Sequence, residues 1–186
     1  MKKSFVFIWL IAILGFNIYA MTQLNLTHEN LSHFSLFGKH EILFIWGSLT
    51  SCWFYFISKK LFQSCSFKSK FASLALTISS LMMFLSVVIP YQPDKFYVLS
   101  ELHIFLAFYG TICYAGVILW FHQHLRFYAY QVYQKAIFFY LLLVMFCLLQ
   151  YITYGCVNTY MECSFSIGAS LYLYFLHRAI QSSHNQ

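Results

Sequence analysis

Six runs of about twenty mostly apolar residues, each free of charge through its middle, most constrain what this chain can become. They cover residues 4–21, 41–58, 71–90, 101–122, 136–155 and 161–177. A helix needs about 20 apolar residues to cross a bilayer, so each run is long enough. The links between them are too short to fold alone, which gives a single domain over residues 1–186. Of the 186 residues 61% are hydrophobic and only 9% charged. A soluble domain carries roughly 25% charged residues, so this composition excludes one. Membrane barrels need strands of alternating polarity, and the unbroken apolar run from Ile137 to Phe146 does not alternate. The predicted fold class is therefore all-α, a polytopic transmembrane bundle of six helices.

Orientation follows from the basic residues, which are retained on the cytoplasmic side. Lys2, Lys3, Lys59, Lys60, Lys68, Lys70, Arg126, Lys135 and Arg178 fall on one side of the six runs. Only Lys39 and Lys95 fall on the other, together with all five acids: Glu29, Glu41, Asp94, Glu101 and Glu162. This alternation predicts that both termini are cytoplasmic. The net charge of +6 then faces anionic headgroups, which makes membrane lipids the expected partners, with other membrane proteins beside them and no nucleic acid. Phe127, Tyr128, Tyr130, Tyr133 and Trp120 fit an interfacial aromatic belt on that side. The Lys, Phe and Ile content suits a bacterial cell membrane. The first run also resembles a secretory signal, but it is longer than a typical signal core, so a retained anchor is expected.

Nucleotide-binding glycine loops, H-E-x-x-H and C-x-x-C are all missing from the sequence. Chemistry, if any, has to come from the outer end, where His28, His33, His40 and His103 lie near the acids. Imidazole and carboxylate suit zinc or another divalent metal and also proton relays. The alternative metal set is His33, His40, His103, Glu41 and Glu101; no cofactor is the expectation otherwise. Neither His40 with Glu41 nor Glu101 with His103 has the spacing that shares a helix face, so ligands would have to converge from separate spans. A simpler role for Glu41, Glu101 and Glu162 is to sit at the positive ends of helices that start on the outer side, with Ser100 capping the fourth span. The inner histidines, His122, His124, His177 and His184, fall at span ends or in the tail and read as interfacial or solvated.

Within the spans, Asn17, Gln150, Ser73, Thr77, Ser79 and Ser80 are the main polar groups and suit helix packing. No charged residue lies near the middle of any span, which argues against a pump or ion transporter. Transport as part of a larger assembly would require a polar cavity reaching Asn17, Thr77 or Gln150. Cys156 and Cys163 flank the last outer turn and are the disulfide candidates. Asn25-Leu26-Thr27 and Asn30-Leu31-Ser32 match the glycosylation pattern in the outer loop. Pro90 and Pro93 end the third span and shape a turn.

Two stretches carry a family likeness. The loop entering the second span reads Asn30-Leu31-Ser32-His33-Phe34-Ser35-Leu36-Phe37-Gly38, then His40-Glu41. The approach to the fourth reads Ile89-Pro90-Tyr91-Gln92-Pro93, then Leu102-His103 and Ala107. With six spans and both ends inside, the chain resembles the superfamily of damage-regulated autophagy modulators and its uncharacterised bacterial six-span relatives. The resemblance implies a non-enzymatic protein tied to membrane organisation and marks Ser32, Gly38, Pro90 and His103. The expected function is contact with a lipid headgroup, small ligand or partner through an outer end that includes Ser32, Gly38, Glu41, Glu101 and His103. An outer-interface lipid enzyme, metal-dependent or acid-base, is the alternative.

Overall fold

The computed structural model describes residues 3–183, except for the side chains of residues 3 and 183; Lys2 and His184 lie outside the described residues. Seven helices follow in order: α1 (Lys3–Gln23), α2 (His33–Leu36), α3 (His40–Ser64), α4 (Lys70–Val88), α5 (Tyr97–Tyr128), α6 (Tyr130–Tyr154) and α7 (Thr159–Ser183). No strand occurs among the described residues. Helices α1, α3, α4, α5 and α6 are each long and apolar enough to cross a membrane. The chain is thus an all-helical bundle compatible with a multi-pass integral membrane protein.

Most helices outrun the apolar segments that predict them. Apolar content marks only the part of a helix that meets hydrocarbon, whereas the backbone ladder continues into the headgroup zone. The 32 residues of α5 span roughly 48 Å at 1.5 Å per residue, well beyond the bilayer core. The expected loop between residues 122 and 136 is accordingly helical apart from Ala129, which joins α5 to α6. The residues of the expected aromatic belt lie toward those helix ends, with Trp120, Phe127, Tyr128 and Tyr130 exposed and Tyr133 half-buried. Helix α2, four residues inside the outer loop, has too short a pattern to be read from sequence.

Local chemistry sets the helix ends. Ser69 caps α4 by accepting the Ala72 N–H at 3.2 Å, and Asn158 caps α7 by accepting the Met161 N–H at 2.9 Å. Gly155, at φ 70°, ends α6 in the left-handed conformation that a side chain disfavours. Residues preceding proline avoid helical angles, and α4 stops at Val88 with Ile89 extended before Pro90. Ser100 does not cap α5: the helix begins at Tyr97, and the Ser100 hydroxyl instead accepts the Gln92 N–H at 3.0 Å. For the same reason Glu101 falls past the first turn, while Glu41 and Glu162 lie within theirs.

The packing centres on α7, which touches α1, α3 and α6, while α4 lies between α3 and α5. Trp53, Ile57, Leu61, Phe121, Leu125 and Ile180 are fully buried in the main core. A smaller cluster of Ala20, Leu24, Leu31, Phe34, Leu43, Val87 and Cys163 sits beneath the outer loop. Helices approach most closely at glycines. A Cβ on Gly47 would fall 2.2 Å from a Val87 methyl, and one on Gly168 would fall 2.5 Å from Leu143. Phe71, Phe138, Phe139, Leu149 and Ile152 point outward, as lipid-facing side chains do.

Candidate functional site at the outer end

The loop expected on the outer side, residues 24–39, is held to the start of α7 largely by its backbone. Thr159 donates both its N–H (2.6 Å) and its hydroxyl (2.9 Å) to the Glu29 carbonyl, and Tyr160 N–H donates to the Leu26 carbonyl at 3.0 Å. The Glu162 carboxylate accepts the Leu31 N–H at 2.6 Å. The Glu29 carboxylate accepts the Asn25 N–H at 2.7 Å, and the Asn25 side chain accepts from Thr27 and His28. Backbone carbonyls and the Asn25 side chain supply most of these acceptors, and the Glu29 and Glu162 carboxylates supply one each.

His103 is the centre of the site. It projects from α5, 3% exposed, with Nδ1 2.6 Å from the Ser86 carbonyl and 2.9 Å from the Ile89 carbonyl. A carbonyl only accepts, so Nδ1 carries the proton. Nε2 is then the acceptor, and the Ser32 hydroxyl donates to it at 2.7 Å. The reason for this arrangement lies in the prolines. In a continuing helix the carbonyls of Ser86 and Ile89 would receive N–H groups from residues 90 and 93, but Pro90 and Pro93 have none. One imidazole on the next helix covers both orphaned acceptors. Tyr91 packs against it, ring centroids 5.7 Å apart.

Of the sequence-marked residues, then, Ser32, Pro90 and His103 come together. Gly38, at φ 72°, ends the short helix that Ser32 begins. Glu41 and Glu101 are exposed. His33 Nδ1 bonds with Asn30 of its own loop, and His40 Nδ1 lies 2.7 Å from the Ser35 hydroxyl. Among the described residues no three His, Cys, Asp or Glu side chains gather as a metal site.

Other expectations need correction. Cys156 and Cys163 are not bridged: Cys156 is exposed in the turn, while Cys163 is buried and directs its Sγ to the Asn17 carbonyl at 3.7 Å. His122 and His177 are buried rather than interfacial. His122 bonds the Ile118 carbonyl through Nδ1 and receives the Tyr172 hydroxyl at Nε2. Beside it Tyr140 donates to the Ala115 carbonyl at 2.7 Å, and Ser58 pairs with Tyr114 at 2.7 Å. Residues 114, 118 and 122 share one face of α5 by their spacing of four, a signal that could have placed His122 beside Tyr114 in the interior but was not read from the sequence. His124 donates to the Cys65 carbonyl at 2.8 Å. Asn17 bonds Ser166 at 3.0 Å, which ties α1 to α7 as packing polar groups do, whereas Gln150 is buried with neither amide atom partnered.

Comparison with protein-family models, with curated proteins and with solved structures gives no match.

Proposed function

We propose that the chain is a six-span integral membrane protein with both termini in the cytoplasm, acting by contact at its outer end rather than by catalysis. The sixth span is α7. Its apolar content falls short of a lipid-exposed span because α1, α3 and α6 cover much of it. The charge asymmetry supports the orientation, with nine of the eleven basic residues at one end and all five acids, beside Lys39 and Lys95, at the other.

The observation that carries the outer-end reading is the pairing of Ser32 with His103 over two proline-orphaned carbonyls. It makes the outer cap a fixed platform. The platform leaves the carboxylates of Glu41 and Glu101 exposed, where they suit the ammonium groups of lipid headgroups or a basic partner surface. A likeness to the damage-regulated autophagy modulators and their bacterial relatives, which marks Ser32, Gly38, Pro90 and His103, implies the same non-enzymatic reading. The test is thermal unfolding in nanodiscs of phosphatidylethanolamine against phosphatidylglycerol. Stabilisation by the amine headgroup that disappears in Glu41→Gln/Glu101→Gln is expected. Equal stability in both lipids, or stoichiometric zinc in the purified protein, overturns the reading.

A second reading has one specific observation behind it. A serine hydroxyl 2.7 Å from an imidazole whose other nitrogen is held by acceptors is also the geometry of a nucleophile with its base. Labelling of Ser32 by a fluorophosphonate, lost in His103→Ala, would replace the non-catalytic reading with an acid-base lipid hydrolase at the outer interface.

A further inference from the structure

Away from the outer cap, a groove of about 1060 Å³ runs along the surface where α6 meets α7. One wall is α6 from Gln131 to Phe146; the floor is α7 from Ser164 to Ser182. Those sixteen residues of α6 correspond to roughly 24 Å, longer than the roughly 15 Å of one bilayer leaflet. Its floor carries Gly168 and Ala179 among larger side chains such as Ile167, Leu171 and Tyr172, and its back is closed where Gly168 lets Leu143 approach. Its lining is apolar along most of its length, with Phe139, Leu142 and Phe175 typical. One mouth differs: there Lys135 and Gln131 stand opposite Ser182. Lys135 is exposed and has no ion pair among the described residues.

We infer that this groove is a binding site for one anionic phospholipid, an acyl chain lying along α7 and the phosphate held at the Lys135 mouth. Charge complementarity selects the occupant. A ligand with a long apolar body and a single anionic end matches an apolar trough with a single cationic end. A lysine near the membrane surface contributes about 1 kcal/mol toward an anionic headgroup, which amounts to about fivefold in affinity. Gln131 adds a neutral amide donor for phosphate oxygens. The site therefore discriminates by headgroup charge and by chain, unlike the general lipid contact of the exposed Phe and Leu side chains. The inference rests on membrane embedding alone, and it holds whichever end of the bundle is cytoplasmic.

The experiment is native mass spectrometry of the full chain released from nanodiscs of mixed phosphatidylglycerol and phosphatidylcholine with identical acyl chains. One retained phosphatidylglycerol per chain is expected in the wild type. Lys135→Ala should lower its retention about fivefold, and Ala179→Phe, which fills the floor beside that mouth, should lower it as well. Lys70→Ala, on another helix end, should not. Gel filtration of each variant confirms that the bundle is intact. Equal retention of phosphatidylcholine, or full retention in Lys135→Ala, overturns the site. So does a dimer cross-linked through Phe139→Cys with no lipid retained, since a second copy would then occupy the groove. Extraction of the wild type from membranes by alkaline carbonate would instead overturn the membrane reading itself.

Discussion

His103 does for Ser86 what Pro90 cannot: its Nδ1–H lies 2.6 Å from the Ser86 carbonyl, in the role that an amide at residue 90 fills in an uninterrupted helix. The same nitrogen serves Ile89 ahead of Pro93 at 2.9 Å. A turn that breaks two backbone hydrogen bonds is thereby closed from the neighbouring helix, and the outer loop is fastened to the same ring through Ser32.

His103→Ala should therefore cost more than Ser32→Ala. The first leaves two buried carbonyls without a donor, at about 1–3 kcal/mol; the second removes one neutral hydrogen bond, at about 1 kcal/mol. His103→Asn, whose amide N–H₂ reproduces the Nδ1 donor, should recover part of the loss. Thermal unfolding of the three variants in detergent checks the order, and equal losses for Ser32→Ala and His103→Ala would contradict it.

Where α3 crosses α4, Gly47 faces Val87 with no room for a methyl group. Gly47→Ala should destabilise by about 1–3 kcal/mol through overpacking, and Val87→Ala in the same chain should restore much of that. Additive losses in the double variant would place the close approach elsewhere.

Glu162 holds the outer loop through the Leu31 N–H at 2.6 Å. Glu162→Ala removes the acceptor and should cost about 1–2 kcal/mol, while Glu162→Gln keeps an acceptor oxygen and should cost less. Protease nicking in the loop, residues 24–32, should rise in the alanine variant. Unchanged nicking would argue that the Thr159 and Tyr160 bonds suffice.

The cysteines provide an independent check. Burial pushes the Cys65 thiol up to about 11, so its thiolate form is scarce at pH 7 and grows about tenfold per pH unit toward that value. Cys156 is exposed and should react first with an impermeant maleimide. Cys163 and Cys65, both buried, should stay unlabelled until the bundle is denatured. Mass spectrometry after a short pulse reads all three, and a Cys156–Cys163 bridge would appear as Cys156 labelling only after reduction.

The helical architecture was legible because apolar segments of membrane length leave few alternatives. Helix ends were less so: Tyr97 and Tyr130 begin helices well outside the apolar windows, since the rule that marks a span is set by hydrocarbon thickness and not by the backbone ladder. At the site, Ser32 and His103 were each marked, but the bond between them joins residues 71 positions apart, a separation that local spacing does not reach. The signal that did exist was Pro90 and Pro93 at i+4 from Ser86 and Ile89, which announces two carbonyls in need of a donor. For Cys163 the signal pointed the wrong way: sequence proximity to Cys156 suggested a bridge, whereas its position on α7 directs it to α1.

The enclosure of α7 also bears on how the molecule is made. A segment carrying Glu162 and several serines partitions weakly into lipid by itself, since each polar residue raises the free energy of insertion. Its protein neighbours α1, α3 and α6 are all synthesised before it. Helix α7 thus enters a cradle that already exists. Biogenesis is ordered accordingly: a defect in α1 or α6 would surface first as failure to integrate the carboxy-terminal helix.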